Sequence, residues 1–227
     1  MDCIILAGGL GTRLRPVVPH LPKALAPIQG VPFLKLIVQQ LLLSGVVSKI
    51  ILAVGYLAEQ VEQAFQNVPV EFSREEAPLG TGGATLKAMG KTVGDPVLVI
   101  NGDTYLHISL SEMLVFHQAK GAAVTLACRE VENAERFGTL DLSAEGQILG
   151  FREKARRKGA VNCGFYLFNR SLFEKFPFEG SFSLERDLFP YLVQHDKMFG
   201  FLCDGAFIDI GTPESFAESQ ELLRSIL

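Results

Sequence analysis

Continuous apolar runs alternate with helical spacings along the first half of the chain. Residues 3–7 are all apolar and stop at Gly8-Gly9, the pattern of a strand buried on both faces. Residues 33–43 carry apolar side chains at helical spacing and stop at Ser44-Gly45, which places Gly45 at the C′ position of a helix. Further strands are predicted at 50–54, ended by Gly55, at 68–72, at 97–100, followed by Asn101-Gly102-Asp103, and at 122–127. Helices are predicted between them at 58–65, 85–89 and 111–119, the last with Ser111 as N-cap. This order predicts an α/β fold, a doubly wound, mostly parallel sheet with helices on both faces. Ligands bind such sheets at the carboxyl ends of the strands, where the glycine-rich segments after the first and fourth strands fall.

The second half changes period. Residues 139–151 alternate around Ala144-Glu145-Gly146, a hairpin signal, and 162–168 reads as a strand. Residues 183–189 read as a helix with Ser183 as N-cap and Glu185 in its first turn, ended or kinked by Pro190. A short strand at 207–210 precedes a helix at 213–223, with Thr212 as N-cap and Pro213 at its first position. No repeat or linker interrupts the chain, so residues 1–227 are expected to form one domain with a small antiparallel elaboration.

Composition narrows the classes. At 48% hydrophobic and 20% charged the chain is not intrinsically disordered. A net charge of −4 argues against nucleic-acid and polybasic membrane partners. No apolar stretch of about 20 residues and no basic leader occur, so a cytoplasmic protein with no membrane partner is expected. Cys3, Cys128, Cys163 and Cys203 are too scattered for a zinc site and read as thiols of a reducing compartment. His20, His107, His117 and His195 fall in no pairing motif and read as structural or surface residues.

The chemistry concentrates in Leu6-Ala7-Gly8-Gly9-Leu10-Gly11-Thr12-Arg13-Leu14, continuing to Pro22-Lys23. Glycines directly after a buried strand let backbone N–H groups approach phosphate, and Arg13 and Lys23 add positive charge. A dinucleotide fingerprint would need a third glycine and an acidic end to the second strand, and a P-loop would need Gly-Lys-Ser/Thr; both are missing. A plain turn with solvated basic residues would also fit this segment alone. Asp103 and Asp209 each follow an apolar strand, and two carboxylates from distant segments suit Mg²⁺, which takes a few carboxylate oxygens plus phosphate and water. A turn residue would serve as well at Asp103, and a polar break in a strand at Asp209. Glu75-Glu76-Ala77-Pro78-Leu79-Gly80-Thr81 offers carboxylates that can accept both N–H donors of a guanine edge, with Glu75 favoured over Glu76 and Gly80 letting the base lie close. Two solvated glutamates are the plain alternative.

The glycine segment with Pro22-Lys23 resembles the signature loop of sugar-1-phosphate nucleotidyltransferases. The likeness runs on through Pro78-Leu79-Gly80-Thr81-Gly82-Gly83-Ala84, Asn101-Gly102-Asp103, Glu153-Lys154, Asn162-Cys163-Gly164 and Asp209-Ile210-Gly211-Thr212-Pro213. Ala24 replaces a usual proline and Phe207 a frequent tryptophan, neither of which removes a charge. With one helix after Asp209, the C-terminal β-helix of longer relatives is not expected.

The resemblance implies a nucleotide-diphospho-sugar transferase fold and Mg²⁺-dependent nucleotidyl transfer onto a sugar 1-phosphate. It leans to the guanylyltransferase branch, with GTP as donor and a heptose 1-phosphate as favoured acceptor, ahead of mannose 1-phosphate or a uridylyl donor. It implies Arg13, Lys23 and Asp103 as catalytic residues and Asp103 and Asp209 as metal ligands. It places Leu6, Ala7, Gly8, Gly9, Gly11, Thr12, Glu75, Glu76, Pro78, Gly80 and Thr81 against the nucleotide. Lys154 is implied on the sugar phosphate, Glu153 on sugar hydroxyls, and Gly138 and Asn162 along the sugar pocket. A silent regulatory subunit should have lost one of Arg13, Lys23, Asp103 or Asp209, and all are present. The oligomeric state stays open, a homo-oligomer included. The reaction needs no general base, because a phosphate nucleophile is already ionised at neutral pH, so positioning and electrostatics carry it.

Overall fold

The computed structural model describes residues 1–132, 134, 139–152, 158–174 and 179–223. The first half runs β1 (Asp2–Leu6), β2 (Pro27–Ile28), β3 (Val31–Pro32), α1 (Phe33–Leu43), β4 (Lys49–Val54), α2 (Ala58–Ala64), β5 (Glu71–Arg74), α3 (Gly80–Met89), β6 (Val97–Asn101), β7 (Thr104–Leu106) and α4 (Leu110–Lys120). The second continues with β8 (Val124–Val131), β9 (Thr139–Leu142), β10 (Ile148–Arg152), β11 (Gly159–Phe168), α5 (Ser171–Glu174), α6 (Phe189–His195), β12 (Met198–Leu202), β13 (Phe207–Asp209) and α7 (Pro213–Leu222).

One nine-stranded sheet, ordered β10-β9-β11-β6-β1-β4-β5, organises the chain, with β8 branching from β11 and β12 pairing with β8. The strands β5, β4, β1 and β6 are all parallel, β1 at their centre. The antiparallel elaboration joins the same sheet through β11, which runs antiparallel to β6, β8 and β9. Period-two alternation builds a core on each face. Cys3, Ile5, Leu52, Val54, Leu98 and Ile100 point to one side, where buried residues of α1, α2, α4 and α7 cover them. Ile4, Ile51, Ala53, Val97 and Val99 point to the other, under α3 and α6. A sheet apolar on both faces must be covered twice, which is why its strands read as unbroken apolar runs.

Several boundaries depart from the sequence expectation. The third strand begins at Glu71 because residues 65–70 close turns, Val68 N–H donating to Phe65 O and Val70 N–H to Val68 O. Its polar residues suit the edge of the sheet. Helix α3 begins at Gly80, five residues early. A Cβ on Gly82 would stand 2.1 Å from the Phe182 ring, so the glycine allows that ring to seat against the helix. The N-cap of α4 is Ser109, whose hydroxyl accepts from Glu112 N–H, while Ser111 lies within the helix. Pro190 does not end the helical stretch. A π turn at Leu184–Leu188 leads into α6, where the proline occupies the first turn and needs no N–H donor. Strands β2, β3, β7 and β12 were not expected. Three are only two or three residues long, and Gly200 interrupts the fourth. Ser183 and Thr212 cap as expected, Thr212 in a reciprocal box with Ser215.

Candidate functional site

The registers Leu6↔Ala53 and Leu6↔Asn101 bring the carboxyl ends of β4, β1 and β6 level, and the cleft opens above them. Its volume is about 660 Å³. The first glycine is fixed by its neighbours. Gly8 O accepts from Tyr56 N–H, and a Cβ there would lie 2.5 Å from Glu75 Oε1 and 3.1 Å from Gly55 N. Residues 9–13 are otherwise exposed or half-exposed, and the loop is pinned by Leu14, which is buried and donates to Gly11 O at 3.0 Å. Every residue expected against the nucleotide lines the cleft: Leu6, Ala7, Gly8, Gly9, Gly11, Thr12, Glu75, Glu76, Pro78, Gly80 and Thr81. Arg13, Lys23 and Asp103 line it too.

Glu75 is half-buried and Glu76 exposed. One Glu75 oxygen accepts from Leu79 N–H at 2.9 Å, which shapes the 75–79 turn, and the other packs beside Gly8 and Gly55. Glu75 therefore builds part of the wall of the cleft. At the start of α3, the Gly82 and Gly83 N–H groups donate to Phe182 O. Those two donors are spent inside the protein.

The charges meet at the floor. Lys23 forms an ion pair with Asp103 Oδ2. Strand β13 pairs antiparallel with β7, setting Asp209 opposite Thr104, and Ile210 N–H donates to Asp103 O. Two carboxylates thus stand together, with Lys23 and Arg13 near enough to act on them. Burial, then the charge of Asp103, raises the Asp209 carboxyl above its ordinary range. Lys23, the Gly211 N–H and Arg13 oppose that rise. A site that disfavours its own second negative charge is one a cation would relieve. Among the described residues no group of three His, Cys, Asp or Glu could hold a metal, so phosphate and water would complete the shell of a hard cation.

Of the residues implied for the sugar, Gly138, Glu153 and Lys154 lie outside the described residues. Asn162 is described and stands behind the cleft wall. Its Nδ2 donates to Tyr166 Oη at 2.9 Å, and Asn101 Nδ2 reaches the same phenol at 3.5 Å. The phenol donates to Glu185 Oε1 at 3.4 Å, and Glu185 Oε2 accepts from Thr81 Oγ1 at 2.8 Å and Ser183 Oγ at 2.9 Å. Burial, then the charge of Glu185, pushes the Tyr166 phenol well above its ordinary range, so it stays a donor. One chain of hydrogen bonds therefore runs from Thr81 to Asn162. None of the histidines lines the cleft.

The profile of the Nucleotidyl transferase family matches residues 2–225. The chain belongs to that family. A D-glycero-alpha-D-manno-heptose 1-phosphate guanylyltransferase of Aneurinibacillus thermoaerophilus is 39% identical, with 99% of each chain covered. The enzyme of the same name from Campylobacter jejuni is 36% identical over 95% of this chain and 97% of its own. The crystal structure of HddC from Yersinia pseudotuberculosis complexed with GMP-PN superposes with a TM-score of 0.87 at 33% identity, covering 98% of this chain and 99% of that one.

For a nucleotidyl transferase this cleft holds residues that pattern reading passed over. Tyr56 and Asn101 line it, and the Arg15 guanidinium sits 4.9 Å from the Tyr56 ring centroid. Both follow from the strand-end rule, since each lies at the end of β4 or β6. Glu185 carried no such signal. Beside Ser183 it read only as an acidic residue in a first turn, and its partners are 19 and 104 residues away.

Proposed function

We propose that the protein transfers GMP from GTP to a sugar 1-phosphate, with D-glycero-α-D-manno-heptose 1-phosphate as the acceptor. The observation that carries this is end-to-end agreement with heptose 1-phosphate guanylyltransferases over a cleft lined by Glu75 and Asp103, with Asp209 brought beside Asp103 by the pairing of β13 with β7. An oxygen of the sugar phosphate attacks the α-phosphorus, the bond to the bridging oxygen breaks, and pyrophosphate leaves with the electron pair. Arg13 and the glycine-loop N–H groups hold the triphosphate in line and answer the charge gathering on the α-phosphate. Lys23 neutralises Asp103 and positions it toward Asp209. Mg²⁺ held by Asp103 and Asp209 would supply charge neutralisation at the phosphate oxygens. Glu75 accepts from the guanine N–H donors, and Asn162, with Glu153 and Lys154, belongs to the acceptor's side.

Pyrophosphate release measured over a matrix of nucleoside triphosphates and sugar 1-phosphates tests this reading. GTP with the heptose phosphate should give the highest kcat/KM. Glu75→Gln puts an amide donor toward guanine N–H groups. A buried mismatch of about 1–3 kcal/mol should cut the GTP-over-UTP preference by about one to two orders of magnitude. A preference for UTP in the wild type would overturn the guanylyl assignment.

A further inference from the structure

Between Gly8 and Leu14 the glycine-rich loop has little to lean on. A Cβ on Gly9 would meet nothing within 4 Å, and Leu10, Thr12 and Arg13 are exposed. Its holds are Gly11, where a Cβ would stand 2.9 Å from Lys23 Cβ, and the buried Leu14. Fixing backbone costs entropy, and a loop ordered only when its ligand arrives loses that much affinity. A further hold lies just beyond Leu14. Arg13 and Arg15 flank that residue and look alike in the sequence. Arg13 lines the cleft and Arg15 does not. The Arg15 guanidinium lies instead over the Tyr56 ring, 4.9 Å from its centroid. Among the described residues Arg15 forms no ion pair.

Tyr56 is tied to the same loop through its main chain. Its N–H donates to Gly8 O at 3.2 Å, two residues past the end of β4. Gly55, before it, packs on Gly8, whose O would lie 3.1 Å from a Cβ at residue 55. Leu57, after it, has a φ of 53°, in the left-handed region that a side chain with a Cβ rarely takes. That one residue turns the chain from β4 into α2 and leaves Tyr56 lining the cleft. A guanidinium on an aromatic ring is a tie that keeps its charge. A carboxylate partner would cancel positive field beside the loop, and a ring does not.

We propose that Tyr56 and Arg15 are positioning residues for nucleotidyl transfer, a brace that holds the glycine-rich loop against the end of β4 before a triphosphate arrives. Leu14 pins the loop from the core, and the brace fixes the residue next to it from outside. The loop N–H groups and Arg13 then meet the triphosphate already in place, and less ordering is left for the binding step. Neither residue touches the reacting atoms in this role. Its part in turnover rests on the proposed reading of the loop as the holder of the triphosphate; the brace itself does not.

The test compares the wild type with Arg15→Met, Tyr56→Leu, Tyr56→Phe and the double variant Arg15→Met/Tyr56→Leu. Calorimetric titration with GTP and Mg²⁺, without acceptor, should show Kd raised roughly two- to fivefold in Arg15→Met and in Tyr56→Leu, the range for an exposed cation–ring contact. The double variant should bind no more weakly than either single one, because each removes the same contact. Tyr56→Phe keeps the ring and should match the wild type, and KM for the sugar phosphate should not move in any of them. Trypsin reads the loop without nucleotide. The Arg13–Leu14 bond is open to the protease only when Leu14 leaves the core, and Pro16 shields the bond after Arg15. Cleavage after Arg13, followed by mass, should quicken roughly two- to fivefold in Arg15→Met and Tyr56→Leu, since it tracks the open population. Additive losses in the double variant would make Arg15 a free charge on the triphosphate. Binding by Tyr56→Phe as weak as by Tyr56→Leu would move the effect to the hydroxyl, and unchanged cleavage would leave no brace. Each of these overturns the proposal. If Tyr56→Leu fails to fold, the cleavage rate of Arg15→Met, altered at an exposed position, decides alone. Absence of GTP binding by the wild type would count against the proposed function, and the cleavage rates would still decide the brace.

Discussion

The two sides of the cleft are held by different means. On the side proposed for the nucleotide the main chain does most of the positioning. Three parallel strands end level, Gly8 packs between Glu75 and Gly55, and Leu14 pins the loop from below. On the side proposed for the acceptor the positions come from side chains, through the run Thr81–Glu185–Tyr166–Asn162. The sheet there is mixed, and β11 changes register as it passes. A backbone-built cradle suits a triphosphate, which every donor nucleotide shares. A wall set by side chains can be retuned residue by residue for one acceptor.

The largest expected effect comes from the floor both sides share. Asp103→Asn or Asp209→Asn should lower kcat by on the order of 10²-fold or more, as loss of an electrostatic stabiliser does. Stability should separate the two. The folded pKa of Asp209 is raised above its ordinary 3.8, so its stabilising contribution is present below that value and lost as pH rises through the folded value. Above that window the raised carboxyl destabilises the metal-free protein, and Asp209→Asn should raise its Tm at neutral pH. Asp103→Asn should lower it, because it leaves Lys23, 12% exposed, without its partner. Mg²⁺ should raise the Tm of the wild type and of neither variant. Equal shifts in all three would place the ion elsewhere.

That contrast between the sides also separates what could be read in the sequence from what could not. Strands β1, β4 and β6 and helix α1 announce themselves by local pattern, and the glycine loop by its place after a strand. Asp103 and Asp209 are visible as carboxylates at strand ends. Glu185 is not visible, because its role lies in partners far along the chain. The start of α3 hides because its glycines look like a break until Phe182 is seen against them. Ser109 and Ser111 are both chemically able to cap α4, and only the geometry of the turn chooses between them. Local pattern reports what the backbone decides; side-chain networks that close over long separations leave little trace in it.

A smaller effect tests whether Glu185 joins the two sides. Thr81→Val and Tyr166→Phe remove hydroxyls at opposite ends of its carboxylate. In a double-mutant cycle on kcat/KM they should couple by about 0.5–3 kcal/mol, and the coupling should vanish in Glu185→Gln, whose amide cannot accept at both ends. Strict additivity in the wild-type background would leave the two sides independent.

The smallest effect concerns how the region around α4 and β8 responds to acid. His117 on α4 is 2% exposed, with Nδ1 2.8 Å from Thr125 Oγ1 and Nε2 2.9 Å from Asn169 Oδ1. Asn169 Nδ2 donates to Ala122 O, which fixes its amide and makes His117 Nε2 the N–H donor, leaving Nδ1 to accept from Thr125. Burial lowers the imidazole pKa, opposed by the Asn169 bond and the charge of Asp95. The folded state therefore prefers the neutral ring. Its contribution is present above the ordinary value of 6.5 and is lost as pH falls from there toward the folded value, at a slope no steeper than about 1.4 kcal/mol per pH unit. The other three histidines are exposed, so the loss should be local. Hydrogen exchange at pH 7.5 and 5.5 should show α4 and β8 losing protection before β1 and β4. His117→Gln should start about 1–3 kcal/mol less stable and show a flatter pH dependence. If the slope persists in that variant, the acid response comes from elsewhere. If β1 and β4 loosen together with α4 and β8, the two regions unfold as one unit.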